Sequence, residues 1–234
     1  MHKIRFLRIQ FQPGIAAAEL PRFRGAIAAA VGPEHLLFHN HLGDGQLRYA
    51  YPLIQYKRMQ GKPVLVCLNE GTDEIHALFQ QHIRTLQLGE RSVELQVEAI
   101  ELREWPLEVS PRFFQHRINN WLALSGENYQ RYRTLPDEGA RYAFLSQILR
   151  GNLLAMAKGL DWYIQSEVLV ALHDLSGPRP VRYKDATLMA FDAHFSSNIS
   201  LPYSIGLGKG AARGFGVVGK PRSEQQRFPN RSIF

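Results

Sequence analysis

The 234-residue sequence predicts an α+β protein with antiparallel sheets. Its first half shows the element order β-α-β-β-α-β, which is the order of a ferredoxin-like fold with two helices on one face of an antiparallel sheet. Its second half combines alternating strand patterns with one long helical pattern, and is compatible with a second, less regular copy. A glycine-rich run, "GLGKGAARGFG" at residues 206–216, lies near the end of the sequence.

The first elements are a strand, a helix and a turn. Leu7, Ile9 and Phe11 alternate with polar residues, which predicts a half-buried strand. Pro21 and Gly32 bracket a helical pattern, as proline favours the first turn of a helix and glycine its end. The stretch "LLFHNHLGDG" that follows predicts a short extended piece and a turn.

The remaining elements of the first half are a hairpin, a helix and a last strand. Residues 46–57 and 63–69 predict two strands joined at Gly61-Lys62. Thr72 is suited to cap the second helix. Alternation over residues 93–99 predicts the last strand.

Residues 103–112, which contain two prolines, predict a junction between the halves. Beyond it, a helix is expected over residues 137–158, and strands at "EVLVALHDL" and "ATLMAFDAHF". The expected domains are residues 1–104, residues 105–222 with the glycine-rich loop, and a tail at residues 223–234.

The composition favours a basic protein of the cytoplasm. The formal net charge of +7 favours anionic partners such as nucleic acid or a phosphorylated ligand. Cys67 is the single cysteine and lies in an apolar run, so it is expected to be a small buried hydrophobe. We expect no signal peptide and no membrane partner, because no apolar run approaches the length of a membrane span.

The glycine-rich run has the spacing Gly-Leu-Gly, five residues, Gly-Phe-Gly, which matches neither a P-loop nor a dinucleotide-binding loop. We expect Leu207 and Phe215 to plug the loop into the core. Exposed backbone N–H groups with two basic side chains would form an anion-binding surface, whereas the alternative is a tight packing loop. The residues expected to bind RNA backbone here are Gly206, Gly208, Lys209, Gly210, Arg213, Gly214 and Gly216.

His39-Asn40-His41 is the candidate catalytic motif. In extended backbone, residues two apart point to the same side, so both rings could meet one phosphate. Cleavage of RNA by its own 2′-hydroxyl needs a base and an acid, and histidine can serve as either near neutral pH. The alternatives are two incidental histidines, or a metal site with Asp44 or His35 as a third ligand.

Further candidates are polar residues near this motif and basic residues on helices. Tyr49, Tyr51 and Lys57 could steady developing phosphate charge, although sheet aromatics more often pack in the core. Arg22, Arg24 and Arg150 could follow an RNA backbone, although helix charges are usually solvated.

Several stretches together resemble one known family. "GLGKGAARGFGVV" is similar to the C-terminal glycine-rich motif of the RAMP superfamily of CRISPR-associated RNA-binding proteins. "FHNH", "YAYPLIQYK", "GKPVLV", "LSGENYQRY" and "LRGNLLAMAKG" resemble, in order, the CRISPR repeat-processing endoribonucleases, the "Cas-six" family. The resemblance implies two tandem ferredoxin-like domains and metal-independent cleavage of CRISPR precursor RNA. In this family the catalytic residue is often a histidine in this early region, and some members carry a pair.

The function expected from the residues and the resemblance is a metal-independent endoribonuclease without a cofactor. It would cut CRISPR repeat RNA to leave a 2′,3′-cyclic phosphate and a 5′-hydroxyl. Effector-complex proteins are candidate partners and a homodimer is a candidate assembly. Two alternatives stay open: a non-catalytic RNA-binding subunit of a CRISPR effector complex, and a module for a phosphorylated small molecule. The histidine pair favours the enzyme.

Overall fold

The computed structural model describes residues 1–39 and 51–221. In the first half the strands are β1 (His2–Gln12), β2 (Ile54–Met59), β3 (Lys62–Leu68), β4 (Thr85–Leu88), β5 (Arg91–Glu94) and β6 (Gln96–Leu107). The helices there are α1 (Leu20–Val31), α2 (Leu36–His39), α3 (Glu70–Glu74) and α4 (His76–Gln80).

The first sheet has the strand order β2-β3-β1-β6, with antiparallel neighbours throughout. This is the ferredoxin-like arrangement, so the predicted fold of the first half is confirmed. A separate two-stranded hairpin, β4-β5, is added before the last strand. Ile9 and Phe11 on β1 pack with Phe23 of α1 in one apolar cluster, which fixes the helix on that face of the sheet.

The first helix begins and ends as predicted. Pro21 lies in its first turn, and Gly32 follows it with φ +97°, a backbone angle that side chains other than glycine rarely adopt. The extended piece predicted after it is wrong at residues 36–39, because these form the one-turn helix α2 with Phe38 buried. The turn predicted at "LGDG" lies outside the described residues.

The central hairpin is confirmed with shifted ends. Of the strand predicted over residues 46–57, the described part is strand only from Ile54, and it continues to Met59. The turn consists of Gln60 and Gly61, with φ +50° and +82°, which suits the twist of a two-residue hairpin.

The second helix of the first half is broken into α3 and α4. Thr72 was expected at its N-terminus, but lies inside α3, where its hydroxyl donates to the carbonyl of Asn69 at 2.7 Å. The break lies at Ile75, between the two pieces. Gly71, inside α3, lets this piece lie close to the backbone of Leu53, because a methyl group there would be 2.6 Å from the Leu53 carbonyl oxygen.

The last strand also differs from expectation, and the junction between the halves is formed by strands. The alternating residues 93–99 belong to two strands, because β5 ends at Glu94 and β6 begins at Gln96. Residues 103–112 are almost entirely strand. Pro106 is tolerated because β6 is an edge strand, and Pro111 because the pairing of the following strand is irregular between Val109 and Phe114.

The second half is a second sheet with one long helix. Its elements are β7 (Val109–Trp121), α5 (Gly126–Arg133), α6 (Glu138–Gly159), β8 (Val170–Tyr183), β9 (Ala186–Ile199) and β10 (Val217–Gly219). The strand order β10-β7-β9-β8 again has ferredoxin-like form. Between β9 and β10 the described chain forms a short 3₁₀ turn, Ala211–Arg213, where a regular copy would place its second helix. The expected less regular copy is therefore confirmed.

The long predicted helix is confirmed as α6, with Asp137 as its N-cap through a 2.7 Å bond from the Ala140 amide. Buried α6 residues such as Leu149 share one apolar cluster with Phe6 of the first sheet and Phe195 of the second. This helix therefore joins the cores of both halves. None of the helices in residues 1–39 and 51–221 combines the length and the apolar composition needed to cross a membrane.

Candidate active site

The glycine-rich turn, residues 206–216, closes on itself and on the second sheet. Single bridges pair Gly206 with Val217 and Lys209 with Leu122. Four glycines have φ between +60° and +84°, in the left-handed region that favours glycine. These are Gly208, Gly210, Gly214 and Gly216.

Packing explains two of these glycines. A methyl group at Gly216 would overlap the carbonyl oxygen of Leu207, and one at Gly214 would lie 2.5 Å from a methyl carbon of Leu20 on α1. Leu207 is fully buried, so the predicted plug is confirmed there. Phe215 is only half-buried, and its ring packs edge-on against Tyr183 with centroids 5.5 Å apart.

Many backbone N–H groups of the turn bond within the protein. The amides of Gly206, Leu207, Ala211, Arg213, Phe215 and Gly216 all donate to protein acceptors. These groups are not available to cradle a phosphate while the turn keeps this conformation. The capacity of the turn for anions therefore rests mainly on its two basic side chains.

Those two side chains lie at different depths. Lys209 is exposed, with Nζ 5.5 Å from the centre of the Tyr183 ring. Arg213 is half-buried, on a turn that contacts α1, the helix that carries Arg24. Burial lowers the pKa of Arg24, and the positive charge of Arg213 lowers it further. Within the described residues, neither arginine forms an ion pair with a carboxylate.

Arg24 also contacts the candidate catalytic segment. Its Nη2 donates a 2.6 Å hydrogen bond to the carbonyl of His39, and its guanidinium lies 5.7 Å from the centre of the Tyr56 ring. Its Nε is buried without a hydrogen-bond partner in the described chain. Two arginines and His39 therefore meet where α1, α2 and the glycine-rich turn come together.

His39 is the last residue of α2, and its ring is oriented by the backbone. Its Nε2 lies 2.9 Å from the carbonyl of Gly32. In a neutral ring this contact puts the proton on Nε2 and leaves Nδ1 as an acceptor. Because α2 is helical, the extended geometry expected at His39 does not apply. His41 and Tyr49 lie outside the described residues, as does Asp44.

The metal alternative involves His35, which is engaged elsewhere. Its Nδ1 lies 2.6 Å from a carboxylate oxygen of Glu74. Among residues 1–39 and 51–221, no three histidine, cysteine, aspartate or glutamate side chains are grouped so as to hold a metal ion.

Tyr51 and Lys57 both contact the glycine-rich turn. The Tyr51 hydroxyl donates to the carbonyl of Gly206 at 2.8 Å, and Lys57 Nζ donates to the carbonyl of Ala211 at 2.5 Å. Gln55, on the same face of β2 as Lys57, accepts a 2.8 Å bond from the Gly206 amide. Sequence reasoning missed Gln55, although two polar residues in alternation on an otherwise buried strand were a usable signal.

Family models cover nearly the whole chain. The Cas6b N-terminal domain matches residues 2–105, and the Cas6b C-terminal domain matches residues 108–221. The chain belongs to the Cas6b family. The expected membership among CRISPR-associated repeat-processing proteins is thereby confirmed.

Solved Cas6b structures share this fold. One Cas6b crystal structure has a TM-score of 0.83 at 23% identity and covers 94% of this chain and 100% of its own. A crystal structure of a CRISPR RNA processing endoribonuclease, Cas6b, has a TM-score of 0.72 with the same identity and coverage. An uncharacterised protein of Methanocaldococcus jannaschii is 33% identical over 101 residues, which are 43% of this chain and 67% of that protein.

Two other basic residues of this Cas6b-family chain lie away from the arginine pair. Arg22 is exposed beside Gly89 in the β4–β5 turn, with Nη1 3.2 Å from where a methyl group of Gly89 would lie. It points differently from Arg24, because two residues on a helix are about 200° apart. Arg150 is exposed on α6, 3.9 Å from a carboxylate oxygen of Glu167. Neither joins the group formed by Arg24, Arg213 and His39.

Proposed function

We propose that this chain is an endoribonuclease that cleaves CRISPR precursor RNA within its repeats. The reaction is attack by the RNA's own 2′-hydroxyl, which forms a 2′,3′-cyclic phosphate and releases a 5′-hydroxyl. Membership of the Cas6b family supports the RNA substrate, as does the fold shared with a CRISPR RNA processing endoribonuclease.

The observation that carries this proposal is the set of contacts made by Arg24. This arginine lies beside the carbonyl of His39 and within electrostatic reach of Arg213. Two guanidinium groups without a carboxylate partner among residues 1–39 and 51–221 attract a phosphate, which supplies negative charge. A phosphate held there is adjacent to the segment that carries the candidate acid and base.

The two histidines divide the proton transfers. The Nδ1 acceptor of His39 suits a general base that removes the proton of the 2′-hydroxyl. The freed oxygen attacks the adjacent phosphorus, and the bond to the 5′-oxygen breaks. His41 then supplies the proton that the departing 5′-oxygen needs. The arginines stabilise the additional negative charge on the phosphate oxygens in the transition state.

Lys209 and the glycine-rich turn extend the phosphate-binding surface beyond this centre. Lys209 is exposed above Tyr183, where it can meet a neighbouring phosphate. Arg22 and Arg150 are proposed as outlying contacts for RNA that extends along the protein. Effector-complex proteins and a second copy of this chain are proposed as further partners.

Single-turnover cleavage of labelled repeat RNA tests the proposal. We expect cleavage in excess chelator, because neither attack by the 2′-hydroxyl nor the two histidines require a metal. A single 2′-deoxy substitution just upstream of the cut removes the nucleophile and should block the reaction.

Three outcomes contradict parts of this proposal. Cleavage of the deoxy-substituted bond rules out 2′-hydroxyl attack. Activity lost in chelator and restored by a divalent ion favours the metal site at His39 and His41. RNA binding without any cleavage favours the non-catalytic subunit of an effector complex.

A further inference from the structure

Three side chains connect the first half of the chain to the glycine-rich turn. Tyr51 and Gln55 bond the carbonyl and the amide of Gly206, and Lys57 bonds the carbonyl of Ala211. Gln55 and Lys57 are fully buried. Both lie on the face of β2 opposite Ile54 and Tyr56, which pack with α1. The side chains on this face of β2 therefore contact the glycine-rich turn.

Lys57 is the unusual member of this set. A buried ammonium is costly, and it persists only where it makes a specific bond. Its amine bonds the Ala211 carbonyl at 2.5 Å. Gly206 gives it room, because a methyl group there would lie 2.5 Å from the amine and 2.8 Å from the Ala211 oxygen. An apolar side chain of similar length could fill this space but could not bond the carbonyl.

The bonded carbonyl belongs to the element that carries Arg213. Ala211 begins the 3₁₀ turn that ends at Arg213, so the two residues are fixed together. This turn contacts α1, where Arg24 bonds the backbone of His39. The location of one positive group in the proposed site thus depends on a residue that is itself inaccessible to RNA.

We propose that Lys57, with Tyr51 and Gln55, is a positioning residue that holds the Ala211–Arg213 turn against α1, the helix that carries Arg24. It acts through the turn rather than by touching RNA, which revises its expected role in steadying phosphate charge. The expected effect of Lys57 on RNA binding rests on the proposed function. Its expected effect on the conformation of the turn does not.

Limited trypsin digestion tests the effect on the turn without RNA. Lys57→Met should accelerate cleavage after Lys209 and Arg213, on the order of tenfold, because local opening of a turn exposes its bonds to protease. Lys62→Met, on the partner strand, is the matched control and should leave these rates unchanged. Cleavage after Lys158 on α6 reports global unfolding in the same digest.

The same digest separates local opening from misfolding. Equal acceleration at Lys158 and in the turn, or no acceleration in the turn, overturns the proposal. Gly206→Ala provides a second variant that disturbs the same contact from the side of the turn, and it should also accelerate cleavage after Arg213. Unchanged cleavage in Gly206→Ala also counts against the proposal.

Binding of uncleavable 2′-deoxy repeat RNA tests the coupling to Arg213. Lys57→Met and Arg213→Ala should weaken binding by similar factors, about 3-fold to 10-fold, and each should reduce the salt slope by about one phosphate contact. The double variant should bind no more weakly than Arg213→Ala alone. Losses that add in the double variant overturn the proposal.

Cleavage of the normal RNA distinguishes positioning from catalysis. With saturating RNA, Lys57→Met and Arg213→Ala should slow cleavage by similar factors, because both remove the charge that Arg213 supplies to the transition state. A loss in Lys57→Met on the order of 10²-fold beyond that of Arg213→Ala, with intact binding, would make Lys57 catalytic and overturn the proposal. If the unsubstituted protein neither binds nor cleaves repeat RNA, the proposed function fails, while the digestion result still decides the role of Lys57 in the turn.

Discussion

Arg24 on α1 donates a 2.6 Å hydrogen bond to the backbone carbonyl of His39 at the end of α2. The same guanidinium lies over the ring of Tyr56 on β2. A positive group is thereby held between a helix and a strand of the first half, beside a candidate catalytic residue. Because the turn that carries Arg213 in the second half contacts α1, both halves contribute to the proposed site.

Substitution of the two histidines should separate the base from the acid. His39→Ala and His41→Ala should each slow single-turnover cleavage by about 10²–10⁴-fold, while binding of uncleaved RNA survives. RNA with sulfur in place of the 5′-bridging oxygen has a leaving group that needs no proton. It should restore cleavage to His41→Ala but not to His39→Ala. Rescue of His39→Ala alone would reverse the assignment, and full activity of the double variant would remove both residues from the mechanism.

The arginine pair should supply phosphate contacts that depend on salt. Arg24→Ala and Arg213→Ala should each weaken RNA binding and reduce the slope of log affinity against log salt by about 0.7–0.9, because fewer counterions are released. Arg5→Ala is the matched control, since Arg5 forms two hydrogen bonds with Asp73. Equal slopes for all three variants, measured in folded proteins, would remove the pair from the binding site.

Lys57 should make stability rise with pH just above neutrality. Burial lowers the pKa of its amine to about 7, whereas in the unfolded chain it keeps its ordinary value near 10.5. Between these values the unfolded state binds more protons, so the free energy of unfolding increases with pH, by at most about 1.4 kcal/mol per pH unit. Below pH 7 both states are protonated, and the full cost of burying the charge is present.

Urea unfolding at pH 7.0, 7.5 and 8.0, points chosen at about half-unit steps, measures this slope. The range stops there because burial raises the pKa of Cys67, which opposes the rise once the unfolded thiol ionises. Lys57→Met should lose the slope. A slope retained in that variant would assign it to another group.

Two glycines should respond oppositely to alanine. Gly216→Ala should destabilise the protein by about 2–5 kcal/mol, because the methyl group overlaps the Leu207 carbonyl and the backbone is left-handed. Gly25→Ala, on α1 with open space around the added carbon, should stabilise it by about 0.5–1 kcal/mol. Thermal or urea unfolding measures both. Tolerance of Gly216→Ala would contradict the packing described for the turn.

Local sequence patterns predicted those strands and helices whose formation depends mainly on their own residues. Alternation at Leu7, Ile9 and Phe11 predicted β1, and the segment after Asp137 predicted α6. The order of elements then predicted the ferredoxin-like sheet. These patterns failed where packing or position in the sheet decided the local structure. Residues 36–39 form the one-turn helix α2 with Phe38 buried in the core, and an edge position lets β6 run through Pro106.

The sequence by itself determined the family, the fold class and the residue types that suit RNA chemistry, because each depends on local order and spacing. Tertiary structure alone decided which of these residues meet. Lys57 and Ala211 are 154 positions apart, and Arg24 and Arg213 belong to different halves. Charge and hydrogen bonding act over a few ångströms in space, whatever the separation along the chain, so no spacing rule could join them. The packing of α6 in a core common to both sheets brings the halves together and makes these contacts available.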